Sequence, residues 1–345
     1  MTDALLSGLA ASPDVYVQKL DLARSAALLV QLNEGAYRGA SFLDDRILTP
    51  GLKGAWASLE NVLAATGGAA GKPLHFIFHT GHVGSTLLSR LLDESGSVLS
   101  LREPLPLRTL ADARDVLGLP ESLLSPADYE RLERALVQLW SRGYGATHSV
   151  VLKATSSASR TAPSLLERLP GARAVYLNLG AEPYLATLLA GQNSGVDLRG
   201  HGPLRIRQLQ ARTQAPLAPL HALSPGELAA MSWLAETWNQ QDAVDRCGSR
   251  VLALNFDDLL ADVAGSVRRV AEHFQLPVES GWLDDIARSP VLTRYSKSPD
   301  FEYSPQLRRE LLRESRQINA AQIVAGMRWL ENLAKAQPAV ARKLA

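Results

Sequence analysis

The chain has 345 residues, of which 46% are apolar and 21% are charged, a composition typical of a globular protein with one large or two smaller domains. Its 36 Lys and Arg nearly balance its 35 Asp and Glu, so no global field favours a nucleic acid or an anionic membrane as a partner. Cys247 is the only cysteine, which excludes an internal disulfide and a cysteine-rich metal cluster. No apolar run approaches membrane-spanning length, and no basic segment precedes an apolar core at the amino terminus, so we expect a cytoplasmic protein.

The first 72 residues are predicted to form a helical extension. One helical stripe is formed by Leu22, Ala26, Leu29, Val30 and Leu32. A second stripe, with Leu59, Val62 and Leu63, ends at two glycines. Nothing in this part of the sequence indicates chemistry by itself.

Residues 74–92 carry the most informative pattern of the chain. An apolar run at 75–78 predicts a buried strand, and Leu87, Leu88, Leu91 and Leu92 predict an amphipathic helix. The strand and the helix are joined by a segment with two glycines and two hydroxyl residues, namely Thr80, Gly81, His82, Val83, Gly84, Ser85 and Thr86. This order is typical of a phosphate-binding loop.

The physical reason is that glycines let the backbone turn sharply and approach an anion closely. The first amides of the helix lack intrahelical partners, and the helix dipole adds positive potential at the same point. In nucleotide triphosphatases, four residues separate the two glycines and a lysine precedes the hydroxyl residue. Here Ser85 follows Gly84 directly, which disfavours an ordinary ATPase. A glycine-rich turn with a serine cap and no ligand is the alternative.

Further strands alternate with helices along the chain, and this order predicts a parallel sheet covered on both faces. Glu103 follows one strand and is held at its carboxyl end by Pro104, and Lys153 follows another. The carboxyl edge is where open α/β sheets bind ligands. The strands are predicted at 97–101, 149–152, 173–177 and 250–256.

Two regions lie outside this alternation. Residues 191–226 are rich in Gly, Pro and Arg and are predicted to form a long loop or lid, with a solvated surface loop as the alternative. The last 45 residues, 301–345, are predicted to be helices packed on the core through Leu307, Leu311, Leu312, Ile318, Ile323, Met327 and Leu330.

Taken together, these motifs resemble the sulfotransferase family, in particular its bacterial members of unknown acceptor. The resemblance covers most of residues 74–300, and it depends on the order and spacing of motifs that are each weak alone. Its closest segments are 78–92, 100–104, 150–157, 170–189, 251–277 and 294–297. It implies a three-layer, P-loop-like α/β domain at 73–300, with a helical N-terminal extension at 1–72 and C-terminal helices at 301–345.

The resemblance also implies an activity. Sulfotransferases bind 3'-phosphoadenosine 5'-phosphosulfate (PAPS) without a metal and transfer its sulfuryl group in line to a hydroxyl or amine. We expect a hydroxyl-bearing acceptor, which could be a small molecule, a glycan or a peptide. The oligomeric state is not predicted.

The site residues follow from matching motifs. Residues 81–86 match the loop around the 5'-phosphosulfate, and His82 occupies the position of its usual Arg or Lys. Lys153 matches a lysine that stabilises the transferring group, a role that needs a fixed cation where charge develops. Glu103 matches the acid that takes the acceptor's proton. The alternatives are an ordinary loop histidine for His82, a structural ion pair for Lys153, and a salt bridge to Arg102 or Arg108 for Glu103.

The sequence departs from the family at residues 176–183. An arginine that holds the 3'-phosphate would fall on Leu179, which cannot bind phosphate, whereas Thr187 matches a serine of the same site. Candidate replacement cations are Arg160, Arg294 and Lys297. Two other functions stay open: a nucleotide- or anion-binding relative without catalysis, and a phosphoryl transferase.

Overall fold

The N-terminal part of the chain contains an antiparallel sheet. The computed structural model describes residues 1–68, 71–214, 216–277, 280–297 and 300–344. In this sheet β1 (Val15–Asp21) pairs with β2 (Ala26–Gln31), which pairs with β3 (Gly54–Ser58). The helices of this part are short: α1 (Thr2–Gly8), α2 (Glu34–Gly39) and α3 (Leu59–Ala65).

The prediction of a helical extension over residues 1–72 is therefore wrong for its first half. Ala26, Leu29 and Val30, read as a helical stripe, belong to β2, whereas the second stripe lies on α3 as predicted. Ala27 and Leu29 of β2 are fully buried while Ala26 and Leu28 are only partly buried, the alternation expected of a strand with one face on the core.

A second sheet has five parallel strands and forms the centre of the molecule. The order across the sheet is β5-β6-β4-β7-β8, so the chain crosses over between sequential strands. This confirms the predicted α/β architecture with a central parallel sheet between helices. Its strands are β4 (Leu74–His79), β5 (Val98–Arg102), β6 (Ser149–Lys153), β7 (Ala174–Asn178) and β8 (Val251–Asn255).

The central sheet is buried on both faces because its strands are almost continuously apolar. Phe76 and Phe78 of β4 point to one side, where they join a core cluster with the N-terminal sheet. Ile77 points to the other side and packs with residues of the helices that cover it. One core thus joins the first 68 residues to the central sheet.

Helices connect the central strands. The first five of them are α4 (Ser85–Asp93), α5 (Leu105–Asp115), α6 (Pro126–Trp140), α7 (Ala162–Arg168) and α8 (Ala181–Ala190). The others up to residue 286 are α9 (Ser194–Thr213), α10 (Pro225–Cys247), α11 (Phe256–Ala261), α12 (Val263–His273) and α13 (Ser280–Ile286).

The prediction of a long loop over residues 191–226 is wrong, because most of this region is the 20-residue helix α9. The glycines and prolines do not prevent the helix, since it packs along α10. Leu198 and Leu209 are buried there, and Arg205 forms a buried ion pair with Glu236 of α10.

Three helices end the chain, as predicted: α14 (Pro305–Ile318), α15 (Ala320–Ala336) and α16 (Pro338–Leu344). Of the predicted packing positions, Leu312, Ile323 and Leu330 are buried, whereas Ile318 is 73% exposed. Leu307 and Leu311 are exposed at the wall of a large cavity. No helix in the described ranges is both long and apolar enough to cross a bilayer.

Candidate functional site

The predicted phosphate-binding loop connects β4 to α4 at the carboxyl edge of the central sheet. Gly81, His82 and Gly84 all have positive φ angles, of 101°, 56° and 72°. A side chain at Gly84 would collide with the ring of Phe256, so both the backbone conformation and the available space require glycine. We call residues 81–86 the cradle.

A buried histidine fixes the start of the cradle. The His79 Nδ1 atom accepts a hydrogen bond from the Gly81 amide (3.1 Å), and Nε2 lies 2.9 Å from the carbonyl oxygen of Ala154. Because a carbonyl can only accept, Nε2 carries the proton and the ring is neutral. Burial lowers the pKa of His79 well below its usual value, and the positive charge of Lys153 adds to this effect. His79 thus connects the cradle to the end of β6.

The cradle opens into a cavity of about 710 Å³. Thr86 is 2% exposed, lies in the cavity wall, and its Oγ1 atom has no hydrogen-bond partner among the described residues. Buried hydroxyl groups are normally hydrogen-bonded, so this orphan atom indicates a place for a polar ligand. The cavity is also lined by these predicted residues: His82, Val83, Gly84, Ser85, Thr187, Arg294 and Lys297.

The opposite wall of the cavity comes from β8–α11 and from the C-terminal part of the chain. Phe256, Tyr303 and Arg308 lie in this wall, and none of them was predicted from the sequence. Arg308 and Arg309 are adjacent in one helical sequence, and only the fold shows which of them faces the cavity. Phe256 had a weak signal, because it ends an apolar strand at the carboxyl edge of the sheet.

Lys153 and Glu103 form an ion pair beside the cradle, at the ends of two adjacent strands. Lys153 is fully buried, whereas Glu103 is 14% exposed and has a positive φ of 55°. Complete burial lowers the pKa of Lys153 to about 8, although the Glu103 carboxylate opposes this shift. The partner that the sequence suggested for Glu103, Arg102, is paired with Asp93 instead.

Several cations surround the cradle. Desolvation by the cavity walls, followed by the positive charge of Lys297, lowers the pKa of His82 to about 4, although this side chain still reaches solvent. Burial also lowers the pKa of Lys297, against the carboxylates of Glu103 and Asp197. His82 is therefore neutral at pH 7 in the free protein, and Lys297 and Lys153 supply the positive charge.

Three residues singled out by the sequence have other contacts. Arg160 is not in the cavity wall: its guanidinium binds Asp112 and Asp115. The Thr187 hydroxyl reaches the cavity wall and donates to the Pro183 carbonyl (2.7 Å). Leu179 is 2% exposed and packs in the core, as its apolar side chain dictates.

No protein-family model matches the sequence, and no curated protein matches it significantly. Among solved structures, the sulfotransferase domain from the curacin biosynthetic pathway matches with a TM-score of 0.41 and 15% identity, over 76% of this chain and 98% of that one. Mouse sulfotransferase SULT7A1, complexed with PAP, matches with a TM-score of 0.40 and 9% identity, over 79% and 89%. Retinol dehydratase in complex with androsterone and PAP matches with 0.37 and 12%, over 94% and 97%. These proteins belong to the group that the sequence resembles.

Proposed function

We propose that this protein binds PAPS in the cradle and transfers its sulfuryl group to a hydroxyl-bearing acceptor. The observation that carries the proposal is the orphan Thr86 hydroxyl at the start of α4, beside helix amides that have no intrahelical partner. These donors face a cavity of the size that holds small ligands. Anionic oxygens of a 5'-phosphosulfate would satisfy them.

The residues next to the cradle can support the transfer step. The acceptor oxygen forms a bond to sulfur, the bond from sulfur to the 5'-phosphate oxygen breaks, and the acceptor's proton passes to Glu103. Lys153 would hold positive charge near the leaving phosphate oxygen, where negative charge develops. Glu103 fits the role of base because its carboxylate is partly exposed and is held in place by Lys153.

A non-catalytic binding protein is the second candidate, and two observations favour it. His82 is neutral at pH 7, so the position of the usual cation in the cradle carries no charge in the free protein. Lys153 is fully enclosed and paired with Glu103, which is also what a purely structural ion pair would look like. A phosphoryl transferase is disfavoured because no lysine precedes Ser85 in the cradle.

Thermal unfolding with nucleotides tests the proposal, because a ligand that binds only the folded state raises the melting temperature. We expect adenosine 3',5'-bisphosphate to stabilise the protein and Lys153→Met to reduce this stabilisation strongly. Lys53→Met, at an exposed lysine far along the sequence, is the matched control. Stabilisation by magnesium-ATP and not by the bisphosphate would overturn the proposal in favour of phosphoryl transfer.

Transfer of labelled sulfate separates the enzyme from the binding protein. With PAPS and a panel of hydroxyl-bearing acceptors, we expect labelled product, and we expect its rate to fall at least tenfold in Glu103→Gln. Binding of the bisphosphate without transfer to any acceptor would favour the non-catalytic relative. An unchanged rate in Glu103→Gln would exclude Glu103 as the base.

A further inference from the structure

Arg308 on α14 has half of its guanidinium unused. Its Nη1 atom binds the carboxylate of Asp257 (2.9 Å), whereas its Nη2 atom is buried and has no hydrogen-bond partner among the described residues. The side chain is only 15% exposed and lies in the wall of the cavity. A buried charged donor without an acceptor is costly, so this arrangement indicates a missing anionic partner.

A second orphan donor lies in the same wall. The hydroxyl of Tyr303 is buried and likewise has no partner in the described part of the chain. Burial raises the pKa of Tyr303, and the positive charge of Arg308 opposes this shift, so the phenol keeps its proton near Arg308. Two donors and one positive charge therefore point to an acceptor that carries negative charge.

One aromatic ring separates Arg308 from the cradle. The guanidinium lies 4.8 Å from the centre of the Phe256 ring, and the same ring packs against the backbone of Gly84. The orphan Thr86 hydroxyl belongs to the cradle on the far side of that ring. The cavity thus has two groups of free donors at different positions, which suits a ligand with two separate anionic groups.

We propose that Arg308 and Tyr303 form a second anion subsite, which binds the 3'-phosphate of a nucleotide whose 5'-phosphosulfate lies in the cradle. This inference rests on the proposed function, because it takes the identity of the ligand from it. It assigns the second phosphate to α14, a helix that the sequence gives no reason to connect with binding. Asp257 orients the guanidinium through Nη1 and leaves Nη2 free for the ligand.

Calorimetric titration with two nucleotides tests this subsite. The wild-type protein, Arg308→Gln and Arg309→Gln are each titrated with adenosine 3',5'-bisphosphate and with adenosine 5'-monophosphate. We expect the wild type to prefer the bisphosphate by at least about tenfold, as one or two charge-assisted hydrogen bonds imply. In Arg308→Gln this preference should fall about tenfold or more, with the affinity for the monophosphate unchanged. Arg309 is exposed on the same helix, so Arg309→Gln should keep the wild-type preference.

The outcomes separate this inference from the function on which it rests. If the bisphosphate binds and Arg308→Gln keeps the full preference, the subsite is wrong and the proposed function stands. If the wild type binds neither nucleotide, both are wrong. If circular dichroism shows that Arg308→Gln is unfolded, Asp257→Asn decides: it removes the competing carboxylate, so the preference for the bisphosphate should rise, and an unchanged preference would contradict the subsite.

Discussion

His79 shows how one buried side chain can fix the shape of a binding loop. Its two ring nitrogens contact two backbone segments that are 75 residues apart, the Ala154 carbonyl and the Gly81 amide just after the histidine. Both contacts require a neutral ring with the proton on Nε2. His79 is therefore a positioning residue, which acts on a ligand only through the cradle.

We expect His79→Phe to weaken binding of adenosine 3',5'-bisphosphate about tenfold and to destabilise the protein by about 1–3 kcal/mol, because a buried amide and a carbonyl lose their partner. His75→Phe is the matched control from the same strand. His75 is also buried and accepts a hydrogen bond from the Arg173 amide (3.2 Å), but it does not line the cavity. Titration and urea unfolding of both variants measure the difference. Equal losses of affinity would mean that His79 acts only on stability.

The charge state of His82 should respond to the ligand. Its pKa of about 4 in the free protein means that the ring is neutral above pH 5, and a bound dianion favours the protonated form. We therefore expect binding of the bisphosphate at pH 6 to take up protons, and His82→Asn to reduce this uptake. Calorimetry in buffers of different ionisation enthalpy measures it, with His148→Gln at an exposed position as the control. Uptake that is equal in the wild type and in His82→Asn would contradict this role.

The pKa of Lys153 sets an upper limit on the pH range of transfer. This pKa is lowered to about 8, so the side chain is a cation below pH 8 and loses its proton as the pH rises further. If the cation stabilises the leaving phosphate, the transfer rate should fall above about pH 8. In Lys153→Arg the charge persists, so this fall should move to higher pH even if the overall rate is lower. A pH profile of labelled sulfate transfer checks both expectations; a fall at the same pH in both proteins would point to another group.

At the scale of elements, the strands of the central sheet were predictable and the N-terminal strands were not. The strand at 75–78 lies between a breaker and two glycines, and it is apolar on both faces, so only a buried strand fits. In β2, apolar residues at 26, 29 and 30 also match helical spacing, and a short run of this kind fits either period. Its pairing with β1 and β3, which are distant in sequence or separated by helices, decides the outcome.

The same contrast applies to the candidate site. The cradle, Lys153 and Glu103 follow local signals, because a loop or a strand end places each of them at one edge of the sheet. Arg308 and Tyr303 carry no such signal, since they reach the cavity only because α14 folds back over α8. α9 was missed for a related reason: contacts with α10 overcome its unfavourable composition.

The contact between α10 and α15 supports this C-terminal wall, and its glycines allow the two backbones to approach closely. A Cβ atom on Gly326 would lie 2.5 Å from the Gly226 carbonyl oxygen and 2.5 Å from a methyl group of Leu185. We expect Gly326→Ala to destabilise the protein by about 1–3 kcal/mol through overpacking. Gly200→Ala, in the exposed part of α9 with open space around it, should be neutral or stabilise by up to about 1 kcal/mol. Urea unfolding compares the two, and equal effects would contradict the close contact.

For the whole molecule, the N-terminal sheet is joined to the central sheet by two buried arginines as well as by apolar contacts. Arg102, at the end of β5, donates to the carbonyls of Tyr37 (3.2 Å) and Ala40 (2.9 Å). Arg142, after α6, donates to the carbonyls of Leu9, Ser12 and Val15. Since these carbonyls belong to the first 40 residues, the N-terminal segment completes the fold of the central domain; the predicted division of the chain at residue 72 stays a prediction.

Arg142 allows this connection to be tested. In Arg142→Met the apolar stem is kept, but three buried carbonyls lose their donor, so we expect a loss of about 3 kcal/mol in the free energy of unfolding. Arg134→Met, at an exposed position of α6, is the control and should change it by less than about 0.5 kcal/mol. Because one core cluster includes residues of both sheets, unfolding of Arg142→Met in urea should stay a single transition followed equally by fluorescence and circular dichroism. Two separate transitions would mean that the N-terminal sheet unfolds on its own and that the two sheets do not form one cooperative unit.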